Sequence, residues 1–107
     1  MEFTVASPPA PGTPVLIGPT GGPVALPSVT YRFQPSSNAT AYYLWVNRNG
    51  TPVIQEWKNS YAICNATECT VTVETPGGAG SFTWWVQAWY AEGGYSAWSP
   101  GVTFAGQ

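Results

Sequence analysis

The sequence has no histidine and no aspartate, and its only basic residues are Arg32, Arg48 and Lys58. These gaps remove many catalytic arrangements. A serine or cysteine nucleophile has no imidazole to activate it, and Lys58, on a polar turn, is a poor substitute base. The five acidic residues, Glu2, Glu56, Glu68, Glu74 and Glu92, are scattered with no close sequence pair. Glycoside hydrolysis needs two carboxylates flanking one bond, and calcium needs a cluster of oxygen ligands. Gly77-Gly78-Ala79-Gly80 lacks the Lys-Ser/Thr that completes a phosphate loop, so it reads as a turn. The expectation is a protein that is not an enzyme, with no catalytic residue, no metal site and no cofactor.

Other shortages narrow the partners. With a net charge of −2 and three cations, no basic patch can form. Nucleic acid is therefore not expected as a partner, and an anionic membrane surface is an equally poor candidate. No apolar run reaches the length of a membrane span, so membrane insertion is not expected. The start has neither the basic nor the apolar segment of a signal peptide. Met1-Glu2-Phe3 reads as an appended remnant.

Cysteine is equally sparse. Cys64 and Cys69 have too few companions for a zinc site, and their spacing is not that of a CxxC redox pair. They read as a local disulfide formed in an oxidising compartment, the alternative being two reduced thiols in a cytosolic loop. Closing so short a loop stabilises by about 2 kcal/mol in the chain-entropy picture. The disulfide reading places the protein outside the cell, on the cell surface or in a periplasm.

What is abundant is aromatic side chain. Aromatics make up 15% of the residues and charged residues 7%. A disordered chain shows the reverse balance, so this one folds. Residues 1–13, containing Ser7-Pro8-Pro9-Ala10-Pro11-Gly12, read as a Pro-rich tether or remnant. The domain occupies residues 14–107. Within it short apolar runs alternate with Gly, Pro, Asn and Ser, and none shows a helical repeat.

Seven strands are expected, over residues 15–17, 29–33, 42–46, 53–57, 70–74, 82–90 and 102–104. Val29, Tyr31 and Phe33 share one face of the second, and Tyr42, Leu44 and Val46 one face of the third. Asn49-Gly50 is the dipeptide of a tight hairpin between the third and fourth. Short strands at this spacing make an all-β sandwich. Three Asn-x-Ser/Thr sequons, at Asn38, Asn49 and Asn65, fall in loops, where glycans would fit or the match is fortuitous.

Phe82-x-Trp84-x-Val86-x-Ala88 followed by Gly94-Tyr95-Ser96-Ala97-Trp98-Ser99 resembles the end of a fibronectin type III domain. Phe33 stands where that family has a buried Trp, and Tyr42 where its third strand has a Tyr. The resemblance spans residues 14–105 and is that of a divergent, bacterial-looking member. Phe82 replaces the tyrosine that pins the family's corner, the cysteine pair is unusual for it, and no Arg-Gly-Asp motif occurs. The resemblance implies a seven-stranded fibronectin type III or immunoglobulin-like β-sandwich. Strands one, two and five would form one sheet, and strands three, four, six and seven the other. It also implies an extracellular module used for adhesion, for spacing, or as an accessory to enzymes acting on polymers.

The inward parity that the resemblance gives to Phe82, Trp84, Val86 and Ala88 turns Trp85, Gln87 and Trp89 outward. Tyr43 and Trp45 face out on the neighbouring third strand, and Trp57 on the fourth extends the row. These six are the candidate ligand-binding residues. Flat rings with a few amides suit stacking on sugar rings or burial against a partner. The alternative is that Trp98 and Pro100 fold back over them. The functional expectation is a non-catalytic structural spacer or interaction module in a larger secreted or surface protein, its partners being neighbouring domains. A carbohydrate-binding accessory module is the second reading, with a polysaccharide or surface protein as ligand.

The cysteine reading has a direct check. Intact mass after alkylation without reductant should show no labelled thiol in oxidatively purified protein, and two labels would refute the bond.

Overall fold

Two-residue alternation places the core. The computed structural model describes residues 10–107. The strands are β1 (Val15–Gly18), β2 (Gly21–Val24), β3 (Ser28–Gln34), β4 (Ala41–Arg48), β5 (Thr51–Asn59), β6 (Cys69–Glu74), β7 (Gly80–Tyr90), β8 (Gly94–Tyr95) and β9 (Val102–Gly106). One helical turn, α1 (Ser60–Ile63), links β5 to β6. One sheet runs β1-β3-β6 and the other β2-β9-β7-β4-β5, with β8 also paired to β7. The fold is an all-β sandwich of two sheets.

The expected division of strands between the sheets is the observed one. The expected count of seven is corrected to nine among the described residues. Both additions are strands that carry no apolar alternation. β2 reads Gly-Gly-Pro-Val and is held by parallel pairing along β9, from Gly21 opposite Phe104 to Val24 opposite Gly106. Its proline is tolerated because β2 is an edge. β8 is two residues long. The turn between β4 and β5 is as read: Asn49 and Gly50 both have positive φ, 49° and 85°, the mirror-image turn that matches strand twist.

Val29, Tyr31 and Phe33 from β3, and Tyr42, Leu44 and Val46 from β4, are buried against Phe82, Trp84, Val86 and Ala88 from β7. Tyr31 meets Trp84 edge-on at 5.1 Å, Phe33 meets Tyr42 at 5.0 Å, and Phe82 stacks on Phe104 at 5.2 Å. A Cβ added at Gly106 would lie 2.4 Å from Phe82 Cε1, so the close approach of β9 to that pair requires glycine.

Among the described residues the buried side-chain polar atoms are paired, as an apolar interior demands, with the exception of Ser36 Oγ. Trp84 Nε1 donates to the Pro19 carbonyl at 3.0 Å. The Tyr31 and Thr75 hydroxyls bond at 2.8 Å, and the Tyr42 hydroxyl accepts from the Ser36 amide at 2.8 Å. Cys64 and Cys69 are disulfide-bonded, tying the end of α1 to the start of β6, where Cys69 joins the core. On the outer face of the smaller sheet Arg32 pairs with Glu68, whose carboxyl is held below its ordinary range by the hydrogen bond from the guanidinium. Among the described residues no helix is long and apolar enough to cross a membrane.

Two outcomes are expected. Trp84→Ala should cost about 3–5 kcal/mol in chemical denaturation, the usual loss for a large ring deleted from a core. The second concerns alkaline pH. Burial pushes the Tyr31 hydroxyl from 10.0 to about 12, the Thr75 hydrogen bond opposing it only in part. The folded state keeps this proton where the unfolded chain has lost it. Stability from this group is therefore complete below about pH 10 and lost as pH rises toward about 12. Burial raises the Tyr42 hydroxyl too, adding in the same direction. Denaturation midpoints should fall between about pH 10 and about pH 12, and less steeply in Tyr31→Phe.

Candidate functional site

The side chains that alternate with the core lie on the outer face of the larger sheet. Tyr43 on β4 stands between Gln87 on β7 and Trp57 on β5. One pleat along, Trp45 is opposite Trp85, and in the other direction Ala41 is opposite Trp89. All six residues singled out from the sequence are therefore on one face. Tyr43 meets Trp57 edge-on at 4.9 Å and Trp45 at 6.3 Å. The Trp45 indole N–H donates to Asn47 Oδ1 at 2.7 Å, and Gln87 Nε2 donates to the Ser96 carbonyl at 3.0 Å, so both amides are oriented by the protein.

The face is not bare. Between β8 and β9 the chain leaves regular pairing, and two serines keep it against β7. The Ser96 amide donates to the Ala88 carbonyl while its Oγ accepts from the Ala88 amide, both at 2.9 Å. Ser99 does the same at Val86, at 3.0 Å for each bond. Each hydroxyl stands in for a strand carbonyl. Regular pairing is suspended across residues 97–98, and Trp98 turns outward. Its ring packs edge-on over Tyr43 at 5.7 Å and Trp45 at 5.9 Å, and Tyr95 leans on Trp57 at 6.0 Å.

Consequently Tyr43, Trp45, Trp85, Gln87 and Trp89 are half-buried. The exposed rings are Trp57 at 46%, Tyr95 at 58% and Trp98 at 40%. The expectation of a fully outward row is modified in this respect, because the last strand folds part of itself over it. Tyr95 was missed as a member of the face, and Trp98 was read only as a cover. The available signal was the Ser-x-x-Ser spacing beside them.

Two shallow grooves result. The first, about 370 Å³, is lined by Trp45, Asn47, Trp85, Trp98, Pro100 and Gly101, together with Ser99. The second, about 300 Å³, is lined by Ala41, Trp57, Trp89 and Tyr95. No charged side chain lines either. Gly101 shapes the first: a Cβ there would fall 2.6 Å from Trp85 Nε1. Cys64 and Cys69, the other residues singled out, lie away from this face and link α1 to β6.

No family model matches the chain, and no curated protein matches it. Solved structures do. Superoxide reductase (neelaredoxin) from Ignicoccus hospitalis aligns over 91% of this chain and 82% of its own, with TM-score 0.58 and 13% identity. A second structure of that protein aligns with TM-score 0.55 and 12% identity over 92% and 82% of the two chains. The fibronectin(III)-like modules of Clostridium thermocellum CbhA align over 88% of this chain and 94% of their own, with TM-score 0.55 and 11% identity.

The expectation that the chain is not an enzyme is overturned by the first of these neighbours. Superoxide reductase uses the same sandwich, so the scaffold gives no ground for excluding catalysis, and the exclusion is withdrawn. Chemistry resides in sites carried on a fold rather than in the fold. At 13% identity the likeness conveys the sandwich alone.

The serine bridge generates a prediction. Ser96→Ala and Ser99→Ala each strip a buried β7 amide of its acceptor and should cost roughly 1–3 kcal/mol. Denaturation followed by tryptophan emission checks this. A loss below about 0.5 kcal/mol, the range of neutral surface changes, would show that the hydroxyls do not hold the segment.

Proposed function

We propose that this chain is a fibronectin type III-like, immunoglobulin-like module of a larger secreted or cell-surface protein, and that the aromatic face of its larger sheet is its contact surface. One observation carries the reading: Tyr43, Trp45, Trp57, Trp85 and Trp89 gather on one sheet face with Tyr95 and Trp98 laid over them, in grooves without a charged lining. Extended apolar patches on a monomer mark interfaces. The likeness to the CbhA fibronectin(III)-like modules supports the family assignment. The disulfide supports a place outside the cytosol. Neighbouring domains of the same protein are the first class of partner, with the module acting as spacer and contact.

A second reading, stacking on a polysaccharide, is favoured by the division of the face into two ring-lined grooves. Trp85 and Trp89 lie four residues apart on one strand, about 13 Å at strand rise. That distance lets the two grooves meet different units of one glycan, with the Asn47 amide lining the first groove and the Gln87 amide standing between Trp85 and Trp89 on β7.

Trp57→Ala and Trp98→Ala test both readings, because these rings are substantially exposed. Thermal melts should stay close to wild type, while retention on cellulose, xylan or chitin, or on the adjoining domain joined in tandem, should weaken with little dependence on salt. Wild-type protein retained by none of the polysaccharides would sink the glycan reading. Unchanged contact with the tandem partner in both variants would sink the module-interface reading.

A further inference from the structure

Two features of the sequence have no part in the aromatic face. The Pro-rich segment lies mostly outside the described residues, in residues 1–9. The three sequons, at Asn38, Asn49 and Asn65, lie within them, and all three asparagines are exposed. The motif pairs an asparagine with a hydroxyl residue two positions on, and the three differ in where that threonine is committed.

At the first, both donors of Thr40 go to the Trp89 carbonyl, the amide at 2.8 Å and the hydroxyl at 3.3 Å. At the second, the Asn49 side chain is laid against β7. Its Oδ1 accepts from the Ser81 amide at 3.0 Å, and a Cβ on Gly80 would come 3.2 Å from its Nδ2. Thr51 is held in the ladder opposite Arg48. Only at the third do asparagine and threonine meet. Asn65 Oδ1 accepts from the Thr67 amide at 2.9 Å, the Thr67 hydroxyl at 3.1 Å and the Glu68 amide at 2.8 Å. Every donor comes from two or three residues away, so local chain alone can form this turn. The Cys64–Cys69 disulfide closes the loop around it.

The arrangement bears on the reactivity of the side-chain amide. Its nitrogen is a poor nucleophile because the electron pair is delocalised into the carbonyl. Three donors on Oδ1 stabilise the negative charge that develops as an N–H proton leaves, which makes that proton easier to remove. With Oδ1 committed to the loop, Nδ2 is the end of the amide left for chemistry.

Resting on the reading of the module as secreted, we infer that Asn65 is an attachment site for an N-linked oligosaccharide, favoured over Asn38 and Asn49. In the transfer, Nδ2 bonds to the anomeric carbon of a lipid-diphosphate-linked oligosaccharide. The bond from that carbon to the diphosphate oxygen breaks, the lipid diphosphate leaves with the electron pair, and the Nδ2 proton passes to a base of the transferase. The sugar stands on the link between α1 and β6, away from the aromatic face, which stays open.

The test expresses the full chain behind a cleavable secretion signal in a yeast that glycosylates exported proteins, as wild type, Asn65→Gln and Pro52→Glu. Trypsin cleavage after Arg48 and Lys58 puts the three sequons in separate peptides. Release by peptide-N-glycosidase in heavy-oxygen water then reads the occupancy of each by mass. Asn65 should be occupied on several times more molecules than Asn38 or Asn49, and Asn65→Gln should lose the main glycoform. Asn49 should stay low in Pro52→Glu, where the proline that follows its sequon is gone. A bare Asn65 in exported, disulfide-bonded protein overturns the site. Occupancy at Asn38 equal to that at Asn65, or equal occupancy at Asn49 once Pro52 is replaced, overturns the role of the turn. Protein retained in the cell with two free thiols counts against the secreted reading, and Asn65 occupancy scored on that retained protein still decides the site.

Discussion

The pleat of β7 is the constraint on which the rest of the molecule depends. Its two-residue period sends Phe82, Trp84, Val86 and Ala88 into the core and Trp85, Gln87 and Trp89 out of it. A slip of one residue would exchange the two sets and place Gln87 among the core rings. The register is held from both sides, by β4 along most of the strand and by β9 over its first half. The core is pinned as well: Trp84 fills the space beside Tyr31, and its indole nitrogen is committed to Pro19. The outer face is the complement of this arrangement. Its rings stand where they do because the inner ones cannot move.

The second half of β7 has a less regular neighbour. Where an ordinary strand would place carbonyls beside Val86 and Ala88, the chain supplies the hydroxyls of Ser99 and Ser96. This keeps two buried amides satisfied while freeing residues 97–98 from the alternation. Trp98 can therefore stand over Tyr43 and Trp45 instead of alternating in and out as a strand residue would. The aromatic face is built by one regular strand pair and one deliberately irregular segment. Gly101 completes it by letting the backbone pass close to Trp85.

Legibility in the sequence followed physical regularity. The alternation in β3, β4, β6 and β7 was readable because each buries one apolar face, and Asn49-Gly50 was readable because its backbone geometry admits few other residues. β2 was not, since Gly-Gly-Pro-Val has no alternation and is held only by backbone pairing at an edge. The six outward residues followed from parity, but their half-burial did not. It depends on Trp98 and Tyr95 crossing from a segment whose irregularity is written in serine side-chain hydrogen bonds rather than in hydrophobic period. Nor did the absence of histidine reveal that enzymes share this scaffold. The absence limits what particular side chains can do and leaves the architecture unconstrained.

Among the six tryptophans, Trp84 is sealed in the core and hydrogen-bonded to Pro19, while Trp57 and Trp98 are open on the outer face of the larger sheet. Paramagnetic broadening of the indole N–H signals by a soluble, uncharged relaxation agent measures this directly. The Trp57 and Trp98 signals should broaden strongly and that of Trp84 should be untouched. A Trp84 signal that broadens as much as that of Trp98 would show that β7 lies in the opposite register, and both the core and the face described here would be wrong.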